Sequence, residues 1–68
     1  LSSQRVVKAE LTGREREVAA RLLQGMTSKE IGKALLISHR TVEIYRARLM
    51  RKYGASTGAD LVQKLITG

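Results

Sequence analysis

The sequence predicts an all-α fold, a four-helix domain with a central helix-turn-helix. Three observations carry that expectation. Apolar residues recur at spacings of three and four in four separate stretches, the period of a helix and not of a strand. Each stretch follows a Thr or Ser placed to cap a helix, and Thr12-Glu15 and Thr27-Glu30 are capping boxes, in which hydroxyl and carboxylate satisfy each other's backbone N–H groups. Glycines close three of the four runs, and the 68 residues contain no proline to break one. A chain this short is one domain near the lower limit for independent folding, so modest stability is expected. It begins with Leu1 instead of Met and is read as a piece of a longer protein.

Residues 1–10, LSSQRVVKAE, carry no period and read as a tail or linker remnant, with Val6 and Val7 packing locally; 11–68 form the domain. The first helix is expected from about Gly13 to Gln24, with Val18, Ala19, Leu22 and Leu23 as its buried stripe and Gly25 as its left-handed stop. The run RERE, with Arg14 and Glu17, suits i,i+3 and i,i+4 charge pairs and links to Arg46 or Lys33. A second, short helix runs to about Leu35 with Ile31, Ala34 and Leu35 inward. Ser38 caps a third helix from about His39 to Tyr53, closed by Gly54. Thr57 caps the last, with Asp60 as a weaker box partner; it carries Leu61, Val62, Leu65 and Ile66 and ends near the terminal glycine.

The two middle helices, joined by a tight turn, have the apolar spacing of a helix-turn-helix. Ile31 and Leu35 pack from the first, Ile37 plugs the turn, and Val42 and Tyr45 answer from the second. Gly32 is small enough to permit close approach. The turn position that often holds glycine holds Leu36, which implies a turn that avoids positive φ.

Composition narrows the function. Thirteen Lys and Arg against six Asp and Glu give a net charge of +7, which points to a polyanionic partner, nucleic acid above all. With no cysteine there is no disulfide or thiolate metal site, and the single His39 lacks partners for zinc. No metal or cofactor is expected. One His and six acids assemble no nucleophile–base pair, so no catalytic residue and no enzyme is expected. Two tyrosines are too few for a single-strand stacking platform. No apolar run approaches the roughly 18 residues of a membrane span, and no signal peptide is present, so no membrane partner is expected.

On a helical wheel at about 100° per residue, Val42, Tyr45, Leu49 and Tyr53 fall within roughly 80° and form a core stripe. Opposite lie Arg40, Ile44, Ala47 and Arg51, with Glu43 and Arg48 at the margins, while Thr41, Arg48 and Lys52 follow one edge. Arg pairs with guanine O6 and N7, Glu accepts from cytosine N4, and Ile44 and Ala47 suit thymine methyls. Arg40, Glu43, Ile44, Ala47 and Arg51 are therefore candidate base readers. Thr41, Arg48 and Lys52 on the rim, with Ser28 and Lys29 at the start of the preceding helix, are candidate phosphate contacts. His39, in the first turn, is expected to be exposed. The plainer alternative is that this is an ordinary charged face and the domain is a protein-interaction module working through its last helix. Binding to double-stranded RNA is disfavoured because its major groove is too narrow for a helix.

The residues that carry these features also resemble a known family. LTGREREV (Leu11 to Val18), GMTSKEIG (Gly25 to Gly32) and LLISHRTVEIYRARLMRKYG (Leu35 to Gly54) match, in order and with the right gaps, the LuxR/FixJ, or GerE-type, DNA-binding domain. The resemblance covers all but about the first ten residues. It implies a LuxR-type helix-turn-helix whose third helix reads the major groove of double-stranded DNA. It implies a bacterial transcription regulator, cytoplasmic and at the nucleoid. The segment SHRTVEIYRARLMRK is closest to the FixJ/NarL response-regulator branch, which implies an N-terminal receiver domain in the full-length protein and a two-component system. Family base readers fall on Glu43, Ile44 and Ala47, and family phosphate contacts on Lys29, Thr41 and Lys52. Ser28 stands for the usual Asn, Gly32 for Ala, Tyr45 for His and Gly58 for Arg, so a phosphate contact at residue 58 is lost. The last helix has apolar residues on two sides, more than a short surface helix needs. With the resemblance, this implies a weak homodimer through Leu61, Lys64 and Leu65 that binds inverted-repeat half-sites.

Overall fold

The computed structural model describes residues 10–67. It contains four helices: α1 (Gly13–Leu23), α2 (Ser28–Leu35), α3 (His39–Tyr53) and α4 (Gly58–Thr67), with no strand among the described residues. The tail packing expected of Val6 and Val7 lies outside them.

The caps form as the sequence demands. Thr12 Oγ1 accepts from the Glu15 amide at 3.2 Å and the Thr12 amide donates to Glu15 Oε1 at 2.9 Å. Thr27 and Glu30 repeat the box at 3.2 and 2.8 Å. Ser38 Oγ accepts from the Thr41 amide. Thr57 Oγ1 accepts from the Asp60 amide, but the Asp60 carboxylate reaches the Ser56 amide instead of closing the box. Each N-cap contributes about 1 kcal/mol, a large share in so small a domain. Gly25 and Gly54 take positive φ, +85° and +66°, where they end α1 and α3.

α3 is the spine: it packs against α1, α2 and α4, whereas α2 and α4 do not pack on each other. The core is Val18, Ala19, Leu22, Ile31, Val42, Leu49 and Leu61, contributed by all four helices. Burying each of the larger side chains contributes about 2 kcal/mol relative to exposure. Tyr45 and Tyr53 pack at its edge, half-buried.

The structure corrects several expectations. Leu23 is 46% exposed, because the wheel step from Leu22 turns it off the core, and Ala34 is exposed for the same reason. Leu36 does adopt positive φ, at φ 60° and ψ 41°, with its side chain in solvent. The α2-to-α3 turn needs a left-handed residue whatever the side chain there, and α2 is held closed by Leu36 and Ile37 amides bonding back into its last turn. A Cβ at Gly32 would stand 2.8 Å from the Ile37 carbonyl oxygen, so the close approach is to the turn backbone. Leu61, expected on a dimer face, is wholly buried in this chain's own core, which a 68-residue domain needs more than a second interface. Among the RERE charges, Arg14 pairs with Glu17 at 3.1 Å as expected. The links to Arg46 and Lys33 do not form; Glu15 turns inward to Lys52 instead.

Candidate nucleic-acid interface

α3 leaves one face open. Arg40, Glu43, Ile44, Ala47 and Arg51 are all exposed along it. His39, Arg40, Glu43, Ile44 and Ala47 line a shallow, open depression at its N-terminal half, mostly apolar at its floor. Among the described residues Lys29, Arg40, Arg48 and Arg51 make no ion pair, so four positive charges stand unneutralised on and beside this face.

A second groove runs where the start of α2 meets α3, lined by Ser28, Lys29, His39, Glu43 and Arg46. Its N-terminal backbone amides carry the positive end of the α2 dipole. Ser28 itself is buried, its hydroxyl accepting from Arg46 Nη1 at 3.2 Å. Glu43 lies between the two hollows. Arg46 Nη1 reaches its two carboxylate oxygens at 3.4 and 3.3 Å, and His39 Nε2 stands 3.4 Å away. The Ser28 hydroxyl beside it, with the charges of Arg46 and His39, holds the Glu43 carboxyl below its ordinary range against the opposing effect of partial burial. An ionised carboxylate accepts only, which is the state a cytosine amino group requires.

The rim of α3 is less uniform than its sequence. Arg48 stands over the Tyr45 ring, 5.6 Å from its centroid, which limits where the guanidinium can point. Thr41 Oγ1 shares a hydrogen bond with Ser38 Oγ at 2.9 Å, anchoring the first turn. Lys52 turns away from the rim: its ammonium donates to Glu15 Oε1 at 2.7 Å and to the Glu10 carbonyl at 2.9 Å. Lys52 and the Thr12 amide hold the Glu15 carboxyl below its ordinary value, overcoming the cost of burial.

On α4, Lys64 pairs with Asp60 at 3.1 Å one turn back, Leu65 is half-buried, and Ile66 is 65% exposed. Among the described residues no three His, Asp or Glu gather as for a metal, and no helix is long and apolar enough to cross a membrane.

Sequence reasoning missed the pairing of Glu15 with Lys52 and the inward placement of Arg46. A signal for Arg46 was present: at about 100° per residue it lies only some 20° beyond Tyr53, on the core side of α3. Lys52 lies about as close to Tyr45 on the other side. Glu15 carried no comparable signal, since its capping role already accounted for it.

Comparison with known proteins agrees with this architecture. Residues 9–65 match the family model of bacterial regulatory proteins, luxR family. The chain is 47% identical over 58 residues to the transcriptional regulatory protein UhpA of Escherichia coli, covering 85% of this chain and 30% of UhpA. It is 42% identical over 55 residues to the transcriptional regulatory protein FixJ of Bradyrhizobium diazoefficiens, covering 81% of this chain and 27% of FixJ. It thus spans less than a third of either regulator. Among solved structures it superposes on the transcription factor GerE with a TM-score of 0.75 at 33% identity, over 84% of this chain and 85% of that one. It superposes on the Vibrio cholerae LuxR-type receptor VqmA, a dimer, with a TM-score of 0.86 at 35% identity, over 97% of this chain and 29% of VqmA. The family domain is a transcription-factor module without enzymatic activity. The chain belongs to the luxR family of bacterial regulatory proteins, and its four helices are that family's helix-turn-helix DNA-binding domain.

Proposed function

We propose that this domain binds double-stranded DNA sequence-specifically, with α3 in the major groove, as the output half of a bacterial response regulator. The observation that carries the reading is the open face of α3. Arg40, Glu43, Ile44, Ala47 and Arg51 stand together in solvent on the one helix that the other three hold from behind. Arg40 and Arg51 suit guanine, Glu43 suits cytosine, and Ile44 and Ala47 suit thymine methyls. Phosphates would meet Ser28 and Lys29 at the start of α2, and Thr41, Arg48 and Lys52 along α3. Ser28 contributes there through its backbone amide, since its hydroxyl is engaged. The Lys52 ammonium has a third proton beyond the two it gives to Glu15 and Glu10.

A receiver domain would precede this one in the full-length protein, consistent with the share of UhpA and FixJ that the match leaves uncovered. The site of action would be the chromosome in the bacterial cytoplasm. Two copies would pair through α4, by Lys64 and Leu65 with the exposed Ile66 beside them, and occupy inverted half-sites. Selection of bound duplexes from a random pool tests the reading. It is expected to return one enriched half-site, duplicated with two-fold symmetry at a constant spacing. A pool with no enriched sequence would remove specific readout, and an enriched single site without symmetry would remove the dimer.

A further inference from the structure

Arg46 lines the second groove but is not among the base or phosphate contacts assigned above, and its side chain joins three helices. It leaves α3 on the core side and runs between the starts of α2 and α4. Nη1 donates to Ser28 Oγ and to both Glu43 carboxylate oxygens. Nε is shut off from solvent and has no acceptor. The other side of the guanidinium fills the space beside Gly58: a Cβ built there would stand 2.7 Å from Arg46 Nη2. Because α2 and α4 do not pack together, Arg46 is what bridges their first turns. An orphaned Nε is costly to bury, so the placement is held by the two acceptors and by the missing side chain at residue 58.

The beneficiary is Glu43. A glutamate on an open helix face rotates among several rotamers and must lose that freedom to bond a base. Here Arg46 bonds both carboxylate oxygens from one side, with His39 Nε2 3.4 Å away on the other, on the margin between the two grooves. A carboxylate has about four acceptor positions, so these bonds leave room for an amino group of a base. We propose that Arg46 is a positioning residue for base reading: it holds Glu43 in one orientation, and the glycine at the start of α4 is what admits it. This rests on the reading of Glu43 as a base contact.

Gly58→Ala separates the possibilities. It adds one methyl in the first turn of α4, where alanine is a better helix former than glycine, and it meets only the far end of a flexible side chain. The fold is therefore expected to survive while the guanidinium is pushed off Glu43. Arg46→Met removes the same contact directly. In the full-length protein, wild type, Gly58→Ala, Arg46→Met, Glu43→Gln and the Gly58→Ala/Glu43→Gln double variant are compared by competition with duplexes altered one base pair at a time. Thermal unfolding checks each fold. Glu43→Gln is expected to change the preference at one base pair. Gly58→Ala and Arg46→Met are expected to flatten it at that same pair by about fivefold, with other positions unmoved. In the Glu43→Gln background, Gly58→Ala is expected to change nothing further. If Glu43→Gln shifts the preference but either single variant leaves it intact, the positioning role is overturned and the base contact stands. An equal effect of Gly58→Ala in both backgrounds overturns it as well. If Glu43→Gln itself alters no preference, the base contact falls and the positioning role falls with it.

Discussion

The Lys52 ammonium stands 2.7 Å from a Glu15 carboxylate oxygen that is itself almost wholly buried, and so ties the end of α3 to the start of α1. The same carboxylate closes the α1 capping box, and the same ammonium holds the Glu10 carbonyl where the chain enters the domain. Removing Glu15 therefore strands a lysine and opens a cap together. Glu15→Ala is expected to lower stability by about 2 kcal/mol, less than a fully buried pair because Lys52 remains a third exposed. Urea unfolding of Glu15→Ala, Lys52→Met and the double variant checks it: the two single losses should sum to more than the double loss.

Acid should weaken the domain through the same pair. Glu15 titrates below its ordinary value of 4.5 in the folded chain, so it adds stability above that pH. That contribution is lost as pH falls through the lower, folded value. Glu43 and Asp60 are shifted the same way, the latter chiefly by the Ser56 amide. Melting temperature is expected to fall steadily below about pH 4.5, and Glu15→Gln should make that limb shallower.

Leu36 holds a left-handed backbone with its side chain 90% exposed, so it gives up conformational energy and buries almost nothing in return. Leu36→Gly is expected to stabilise the domain by about 1 kcal/mol, the left-handed cost relieved less the greater freedom glycine has when unfolded. A lower denaturation midpoint for the glycine variant would refute this.

Contacts to phosphate and to bases should part in binding experiments. Lys29→Ala is expected to weaken all duplexes alike and to reduce the slope of log affinity against log salt by about 1. Glu43→Gln or Arg51→Ala is expected to cost about 1–3 kcal/mol on the selected half-site and little on random duplex. Titrations at four salt concentrations on both duplexes distinguish them.

Pairing through α4 would leave its mark on cooperativity. Ile66→Glu places a charge on the exposed large apolar residue of that helix. It is expected to weaken binding to the inverted repeat at least tenfold while leaving a single half-site unchanged. Leu61→Ala, by contrast, should damage folding itself, by about 3 kcal/mol.

Helix number, type and ends were legible because they depend on local chemistry. A Thr three residues before a Glu closes a cap within its own turn, and a glycine ends a helix by its own φ. The outward set on α3 followed from periodicity alone, since position on a wheel needs no partner. Leu23 and Ala34 were misplaced because each stands about 100° round its helix from a residue packed on the core, at the edge of a stripe, where periodicity alone does not say whether a partner covers it. The turn at Leu36 was misread because the α2-to-α3 angle, and not the side chain, sets that backbone.

The division among the cations of α3 belonged to the tertiary structure. Arg46 and Lys52 border the core stripe on its two flanks, and both are drawn in, one to Ser28 and Glu43, the other to Glu15. Arg40 and Arg51 point away from every other helix and stay free of ion pairs among the described residues. Sequence counts all of these as the same charge. Lys52 is neutralised by Glu15, 37 residues away along the chain, and Arg46, whose charge meets Glu43 on its own helix, is also drawn to the Ser28 hydroxyl 18 residues away; only folding sets those two distances.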